Sequence, residues 1–501
     1  MRRTRSWVGI VLALVTALTL AACTRPTPPD ADAGRELNVG ATAEPDGLDP
    51  ITVSGAGTSF VLLYNVYETL VKIDSEGAIR PLLATDWTIS DDRLTYTFTL
   101  ESRARFASGA PVNADAVVKS FDRARGEGAT DQIRAQWAAV ESVEATGDHT
   151  VEVKLSTPSN MWLYNITGPA GLISDPTATG DLNATPAGSG PYKFKRWDQG
   201  SLVQLEANSG YWGTPARFSP VNFRFYTDPN TMTTAMLSGQ LDIISNLTTP
   251  QAIDQFSDTS KYTIHEGTTQ GEVVLGFNHA TPALADLLVR QAINHAIDRE
   301  ALVKSAWGGK GQLIGSMVPP TDPWYEDLSQ AYPFDQAKAK QLLSEAGKAS
   351  GLNLRLRVPN LPYATASARV IAAQLAEVGI TAKVEELEFP TWLDQVYAKH
   401  DYDMTIVAHV EPRDIVAFGV EGNYWGFNNP EFNALLASAD EGTQEEQVSD
   451  LKAAARLLSD QAAADWLFLL PNIIVTTPEI SGVQENATSL SFDLTTLAAR
   501  S

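Results

Sequence analysis

The chain almost lacks cysteine: Cys23 is the only one among 501 residues. Without a second thiol the protein can form no internal disulfide. Its stability must therefore come from a large buried core, which a chain of this length can form. Because Cys23 lies ahead of the folded body, its isolation also excludes thiol catalysis there.

Positive charge is scarce as well. The chain has 37 Lys and Arg against 60 Asp and Glu, a formal net charge of −23. Such a surface does not suit nucleic acid, whose phosphates need basic partners, nor a polybasic contact with a membrane. We expect a soluble body that does not adhere to anionic surfaces.

Motifs for catalysis are missing too. None of the six histidines has the His-Glu-x-x-His spacing, and neither a Gly-x-Ser-x-Gly elbow nor a Walker loop occurs. The glycine-rich run at 308–311 follows a helical pattern and does not fit a nucleotide-binding loop. Carboxylates are abundant, so a glycosidase pair is not excluded by motif. An exported hydrolase therefore stays an alternative that no motif supports.

The N-terminus has the three parts of a secretory signal. Arg2, Arg3 and Arg5 precede an uncharged apolar run at 7–18, and Leu20-Ala21-Ala22-Cys23 follows. The ending resembles a bacterial lipobox, in which the cysteine is acylated, for example with palmitate, and becomes the first mature residue. We predict a signal peptide at 1–22, exported by general secretion. Residues 23–35, rich in Pro, Thr and Asp, are then a flexible tether on the extracytoplasmic face of the membrane.

The first part of the body predicts a small mixed unit. Alternation of apolar residues over 94–100 and 151–155 indicates half-buried strands. A helix over 111–125 is predicted between them, with Asn113 as its N-cap. Helical spacing also favours a helix over 60–70.

The second half predicts alternating helices and parallel strands. Asp298 and Asp335 are predicted to cap helices, and the latter helix ends at Gly347. A strand over 352–358, a helix that closes at Gly379 and a strand over 380–384 form a parallel unit. A further strand is predicted over 404–408 and a late helix over 444–464.

Six motifs follow one another along nearly the whole mature chain: Glu44-Pro45-Asp46-Gly47-Leu48-Asp49-Pro50, the segment 96–117 with Phe106-Ala107-Ser108-Gly109-Ala110-Pro111, Gly188-Ser189-Gly190-Pro191-Tyr192, Tyr211-Trp212, Val289-Arg290-Gln291-Ala292-Ile293 with Ala296-Ile297-Asp298-Arg299-Glu300, and 335–347. In this order they resemble the family 5 solute-binding proteins of ABC importers, which bind dipeptides, oligopeptides or nickel.

The resemblance implies a two-lobed α/β clamshell, a periplasmic-binding-protein-like fold of type II with an extra subdomain inserted in lobe I. Lobe I would comprise 36–55, 186–266 and 475–501, the insertion 56–185, and lobe II 267–474. The chain would cross between lobes near 267–276 and 471–478, which are hinge candidates. The implied partners are a small solute, ABC permease subunits with their ATPases and, through the lipid anchor, the membrane. We expect a monomer without a cofactor or bound metal.

The ligand is expected beyond the end of the strand over 404–408, because ligands bind at the carboxyl ends of strands in open parallel sheets. In peptide-binding relatives an aspartate of this loop holds the α-ammonium group, and Asp414 is the nearest match. Arg413 could hold a carboxylate through its planar fork. The other candidates are three aromatic residues and a histidine that could ligate nickel: Tyr424, Trp425, Trp392 and His409.

The sequence therefore predicts a substrate-binding lipoprotein of an ABC importer rather than an enzyme, with peptides as the favoured solute. An oligosaccharide, an opine or a nickel complex stays open within the family. A sensor or adhesin that works without a transporter is a further alternative.

Overall fold

The computed structural model describes residues 34–500, so Cys23 and most of the predicted tether lie outside the described residues. Strands are numbered along the chain as β1 Arg35–Ala41, β2 Glu68–Thr69, β3 Val71–Ile73, β4 Ile79–Pro81, β5 Ala84–Ile89, β6 Thr95–Leu100, β7 Val140–Gly147, β8 Thr150–Leu155, β9 Leu172–Ile173, β10 Tyr192–Asp198, β11 Leu202–Ala207, β12 Phe218–Phe225, β13 Ile243–Ile244, β14 Thr263–Phe277, β15 Leu352–Pro359, β16 Ile380–Leu387, β17 Met404–His409, β18 Ala464–Thr476, β19 Ile480–Ser481 and β20 Ala498–Ala499.

The helices are α1 Ala56–Leu62, α2 Ala114–Arg125, α3 Asp131–Gln136, α4 Asn160–Asn165, α5 Pro229–Leu237, α6 Leu287–Ala296, α7 Arg299–Trp307, α8 Gln336–Glu345, α9 Pro362–Ala376, α10 Phe389–Trp392, α11 Pro430–Glu441 and α12 Gln444–Asp460. Asn113, Asp298 and Asp335 accept the backbone N–H of the third helical residue, which confirms the three predicted N-caps. Within residues 34–500, no helix is long and apolar enough to cross a membrane.

The predicted helix over 60–70 is wrong, because α1 ends at Leu62. The Asn65 amide donates to the carbonyl of Val61 at 3.0 Å and to that of Phe492 at 2.8 Å. Tyr64 takes a left-handed conformation with φ 64°. A contact from the far end of the chain therefore stops a helix that the local apolar spacing would continue.

One ten-stranded sheet runs through the molecule in the order β10-β11-β12-β1-β13-β18-β14-β17-β15-β16. β14 and β18 pair antiparallel along most of their length and occupy its centre. Their register shifts between Thr268 and Glu272, where Thr269 to Gly271 face the chain near Leu470. The two predicted chain crossings, 267–276 and 471–478, thus fall largely on this one pair of central strands.

Two smaller predictions about strands are confirmed. The first unit contains an antiparallel sheet in the order β5-β6-β8-β7, and Tyr96, Phe98 and Leu100 point from β6 into its core. β15 and β16 pair in parallel over eight residues on either side of α9, as the pattern over 352–384 predicts.

The apolar cores divide the chain into two bodies. Two buried clusters contain residues from 37–256 and 473–497, which we call the first body. Two others contain residues from 273–469, the second body. β14 and β18 enter both bodies, so the strands that join them are also the central strands of the sheet.

Candidate functional site

Two adjoining cavities lie between the bodies. Cavity A has a volume of about 370 Å³ and is lined by Phe60 and Ser245 of the first body and by Trp307 and Val410 of the second. Cavity B has about 220 Å³ and lies mainly against the first body. Five residues line both cavities: Ala56, Pro412, Thr488, Ser489 and Leu490. Cavity A lies in the range typical of small-molecule sites.

The central strand pair borders cavity A. Gln270 and Gly271 line it at the register shift of β14, and Pro471 and Asn472 line it from β18. Because both bodies and the strands that join them contribute to one wall, a change in the angle between the bodies must change the shape of this cavity.

The loop after β17 carries the second body's contribution to both cavities. Val410 and Pro412 line cavity A, and Glu411 and Pro412 line cavity B. The loop then enters a 3-10 turn at Asp414–Gly419 through Arg413, which adopts a left-handed φ of 60°. The loop that the sequence analysis expects beside the ligand therefore borders both cavities.

Arg413 is held between two aromatic rings. Its guanidinium carbon lies 3.7 Å from the centroid of Tyr164, in the first body, and 4.8 Å from that of Trp324, in the second. Tyr164 itself lines cavity B. Burial lowers the pKa of Arg413, and the stacked rings compensate in part for its lost hydration. Arg413 thus joins the two bodies at the edge of the cavities.

Asp414 is buried beside other acids. Neither carboxylate oxygen has a hydrogen-bond partner within residues 34–500, and the same holds for Oε2 of Glu272. Burial raises the pKa of both groups well above the usual range. Repulsion by Asp414 and Asp322 adds to the shift of Glu272, and repulsion by Glu411 and Asp322 adds to that of Asp414. Burial also raises the pKa of Asp322 to about 6, although Arg413 opposes that shift. A buried acid without a partner is a functional-site candidate.

His409 is neutral at physiological pH. Burial lowers its pKa to about 4. Its Nε2 lies 2.9 Å from the hydroxyl of Tyr424, and its Nδ1 lies 3.9 Å from Asp414. Over the described part of the chain, no group of three or more His, Cys, Asp or Glu could hold a metal ion. His409 therefore supplies no positive charge to the neighbouring acids.

The predicted aromatic residues pack in the second body. Trp425 stacks on Phe418 with the ring centroids 3.9 Å apart, and it contacts His409. Trp392 donates its indole N–H to Thr405 at 2.9 Å. Tyr424 contacts both tryptophans, at 4.3 Å from Trp425 and 6.3 Å from Trp392. The structure thus brings these aromatics together with His409 and Asp414 behind the loop.

None of the six predicted site residues lines cavity A or cavity B within residues 34–500. The sequence analysis named none of the residues that line the two cavities as ligand contacts. Phe60, Ser245 and Asn472 lie far apart in the chain, and no local motif marks them. Glu272, which lines neither cavity but interacts electrostatically with Asp414, did carry a signal, because a lone acid interrupts an otherwise apolar strand at 271–277.

The bodies also touch directly beside Arg413. Asp440 at the end of α11 accepts the hydroxyl of Ser159 at 3.0 Å and the backbone N–H of Met161 at 2.8 Å. The Asn160 amide donates to the carbonyls of Ala439 at 2.9 Å and Gly442 at 2.8 Å. These hydrogen bonds connect the two bodies at one edge of the cavities.

Comparison with known proteins identifies the family. The family model described as bacterial extracellular solute-binding proteins, family 5 Middle, matches residues 78–413. The match spans more than half of the chain, so the protein belongs to this family, and the resemblance drawn from the six motifs is confirmed. Members of the family are extracytoplasmic binding proteins that work with ABC permease and ATPase subunits.

Individual relatives cover nearly the whole chain. The probable D,D-dipeptide-binding periplasmic protein DdpA of Escherichia coli K12 is 27% identical over 511 residues, 96% of either chain. Two solved periplasmic binding proteins are each 23% identical: DppA of Helicobacter pylori with the peptide STSA, at TM-score 0.75 over 94% of this chain and 99% of that one, and AgaA of A. tumefaciens R10 with agropinic acid, at TM-score 0.73 over 93% and 99%. They confirm the two-lobed α/β fold.

Proposed function

We propose that the protein captures peptides outside the cytoplasm and delivers them to an ABC permease powered by separate ATPase subunits. The observation that carries this proposal is the pair of cavities enclosed between two bodies, bordered by a loop with an unpaired buried carboxylate. The D,D-dipeptide-binding relative and the peptide complex of a structural neighbour support the choice of peptides.

The first and second bodies correspond, in this proposal, to lobes I and II. Lobe I comprises 36–55, 186–266 and 475–501 with the insertion 56–185, and lobe II comprises 267–474. The separation of the apolar cores at 256 and 273 and again at 469 and 473 supports these limits. The register shift opposite Leu470 is then the hinge, because it interrupts the ladder of hydrogen bonds between β14 and β18.

Asp414 is proposed to attract the peptide's ammonium group. Asp414 lines neither cavity, so its unpartnered carboxylate would attract the ammonium group electrostatically from behind the cavity wall. Arg413 and the aromatics Tyr424, Trp425 and Trp392 are proposed to shape and hold the loop that carries Asp414.

A thermal-shift screen of the mature protein tests the solute class. The panel contains di- to pentapeptides, oligosaccharides, nickel complexes and opines, the last because a structural neighbour holds agropinic acid. We expect stabilisation by peptides, because a ligand that binds only the folded state raises the unfolding temperature. Stabilisation by another class, with no effect of peptides, would replace the peptide assignment. Turnover of any panel compound would contradict a purely binding role.

The anchor is proposed to be an acylated Cys23, which the motif at 20–23 supports. We expect the wild-type protein to partition with the detergent phase of Triton X-114 and to carry acyl chains by mass spectrometry. Cys23→Ser should remain in the aqueous phase. Identical partitioning of the two proteins would exclude lipidation at this position.

A further inference from the structure

The charged residues on the walls of the two cavities are all acidic within residues 34–500. Within residues 34–500, no lysine, arginine or histidine lines cavity A or cavity B. The charged residues that do are Asp493 in cavity A and Glu411 in cavity B. The rest of the wall is amide, hydroxyl and apolar, with Asn246, Asn472 and Leu470 as examples from cavity A.

Asp493 is already satisfied by its own surroundings. Lys72 lies 3.0 Å from its Oδ2, and Oδ1 accepts the backbone N–H of Thr495 at 2.8 Å. The carboxylate is buried, with 7% of the residue exposed. Glu411 forms no ion pair with the described residues and is exposed to solvent. It is therefore the wall charge that is free to meet a ligand.

The cationic side chain of Arg413, which lies behind the wall of cavity B, already has partners of its own. Arg413 stacks on Tyr164 and Trp324, and the acids Asp322 and Asp440 act on its guanidinium electrostatically. The stacked ring of Tyr164 is itself part of the wall of cavity B. A ligand carboxylate in cavity B would thus meet the ring before it met the cation.

Further acids stand behind Glu411. Asp414 lies three residues along the same loop; Asp322 acts electrostatically on Asp414 and on Glu272, and Asp414 acts on Glu272. Where these acids are ionised they attract a cation, and none of them carries a positive charge that could neutralise an anion. The field at this end of the cavities therefore favours positive charge and opposes negative charge.

A ligand carboxylate would be costly in such a place. An ionised carboxylate that leaves water without a cation or donors to replace it loses several kcal/mol. An ammonium group would instead be stabilised, because it contacts Glu411 directly and is attracted at longer range by the acids behind Glu411. Amide and hydroxyl groups on the remaining wall can serve a neutral polar chain.

We propose that the ligand is a cationic solute without a free carboxylate in the cavities, such as an amidated or cyclised peptide, with its amine directed toward Glu411. This inference rests on the proposed function, and it narrows the peptide class to members that lack an accessible carboxylate.

Isothermal titration calorimetry of the mature protein tests the proposal with three matched ligands: the dipeptide alanyl-phenylalanine, its C-terminal amide and its N-acetylated amide. We expect the amide to bind at least tenfold more tightly than the free acid. Acetylation of its amine should weaken the affinity of the amide at least tenfold. Equal or tighter binding by the free acid overturns the inference alone, since it would mean that backbone N–H groups donate hydrogen bonds to the ligand carboxylate. Failure of all three to bind contradicts the proposed function as well.

Two variants locate the recognition. Glu411→Gln should weaken binding of the amide at least threefold and narrow its advantage over the free acid. Glu421→Gln, a matched change of an exposed acid that lines neither cavity, should leave both affinities unchanged. If the ratio of the affinities for the amide and the free acid is the same in Glu411→Gln as in wild type, the ligand amine is not directed toward Glu411.

Discussion

Asp440 in the second body accepts hydrogen bonds from Ser159 in the first, at 3.0 and 3.1 Å from its two carboxylate oxygens. The same carboxylate accepts the backbone N–H of Met161. These contacts connect the first body to the second, beside the Arg413–Tyr164 stack. Movement of the two bodies away from each other at this edge would break them.

We therefore expect Asp440→Ala to shift the protein toward an open form. Loss of hydrogen bonds to a charged group should destabilise closure by about 1.5 kcal/mol, which corresponds to about a tenfold weaker apparent ligand affinity where closure is required for binding. Small-angle scattering of the ligand-free protein and calorimetric affinities check this expectation.

Glu441→Ala is the matched control, because Glu441 is exposed and adjoins Asp440 at the end of α11. A carboxylate near a helix C-terminus opposes the helix dipole, so neither change should destabilise α11 itself. Equal scattering curves and affinities for the two variants would show that Asp440 does not hold the bodies together.

The Arg413–Tyr164 stack makes a second prediction. Tyr164→Leu should weaken ligand binding several-fold, since the loss of a cation–π contact of about 1 kcal/mol leaves Arg413 without a partner from the first body. Tyr164→Phe keeps the ring and should bind like wild type. Affinities measured by calorimetry separate the variants, and equal weakening in both would assign the effect to the hydroxyl instead.

Ligand binding should depend on pH through Asp414. The charged groups that face it are Glu411, Asp322 and Glu272, with Arg413 next to it in the chain and a neutral His409 at 3.9 Å. Because its pKa is raised, the empty site holds protons that an ammonium ligand must displace. Affinity for a cationic peptide should therefore rise with pH above the range in which a carboxyl group ordinarily titrates, with proton release.

Calorimetry in buffers of different ionisation enthalpy measures the released protons. Asp414→Asn should flatten the pH profile and weaken binding several-fold at the upper end of the pH range, because it removes a charge that attracts the ammonium group from behind the cavity wall. A profile as steep as that of wild type would assign the titration to Glu272 or Asp322.

Glu68 should set a pH dependence of stability. It is fully buried, and burial raises its pKa from 4.5 to about 7, although Ser189, Tyr211 and Trp212 donate hydrogen bonds to it. The folded state therefore keeps the proton at a higher pH than the unfolded state does. The free energy of unfolding should fall by about 3 kcal/mol as pH rises from about 4.5 through about 7.

Chemical denaturation between pH 4.5 and 8 tests this dependence. Glu68→Gln cannot titrate and should lose it, so that wild type and variant diverge as pH rises. Glu76→Gln, an exposed acid nearby in the chain, should follow wild type throughout. Parallel curves for wild type and Glu68→Gln would mean that the three donors keep Glu68 ionised.

Local signals predicted local structure well in this chain. Asn113, Asp298 and Asp335 cap helices because a side-chain oxygen within three residues satisfies a free backbone N–H, which requires no distant partner. The alternation of β6 places Tyr96 and Phe98 in the core for a similarly local reason. The helix predicted over 60–70 failed because its end depends on Phe492, more than 400 residues away.

The sequence by itself determined the family, the α/β class and the loop after β17, since ordered motifs and short-range periodicity are properties of neighbouring residues. Only the tertiary structure decided what that loop meets. Tyr164 reaches Arg413 and Ser159 reaches Asp440 across the gap between two bodies, and Glu272 approaches Asp414 through the pairing of β14 with β17. Such contacts join residues that are far apart in the sequence, so they depend on the tertiary fold. Whether a charged group has a partner can be decided only from that fold.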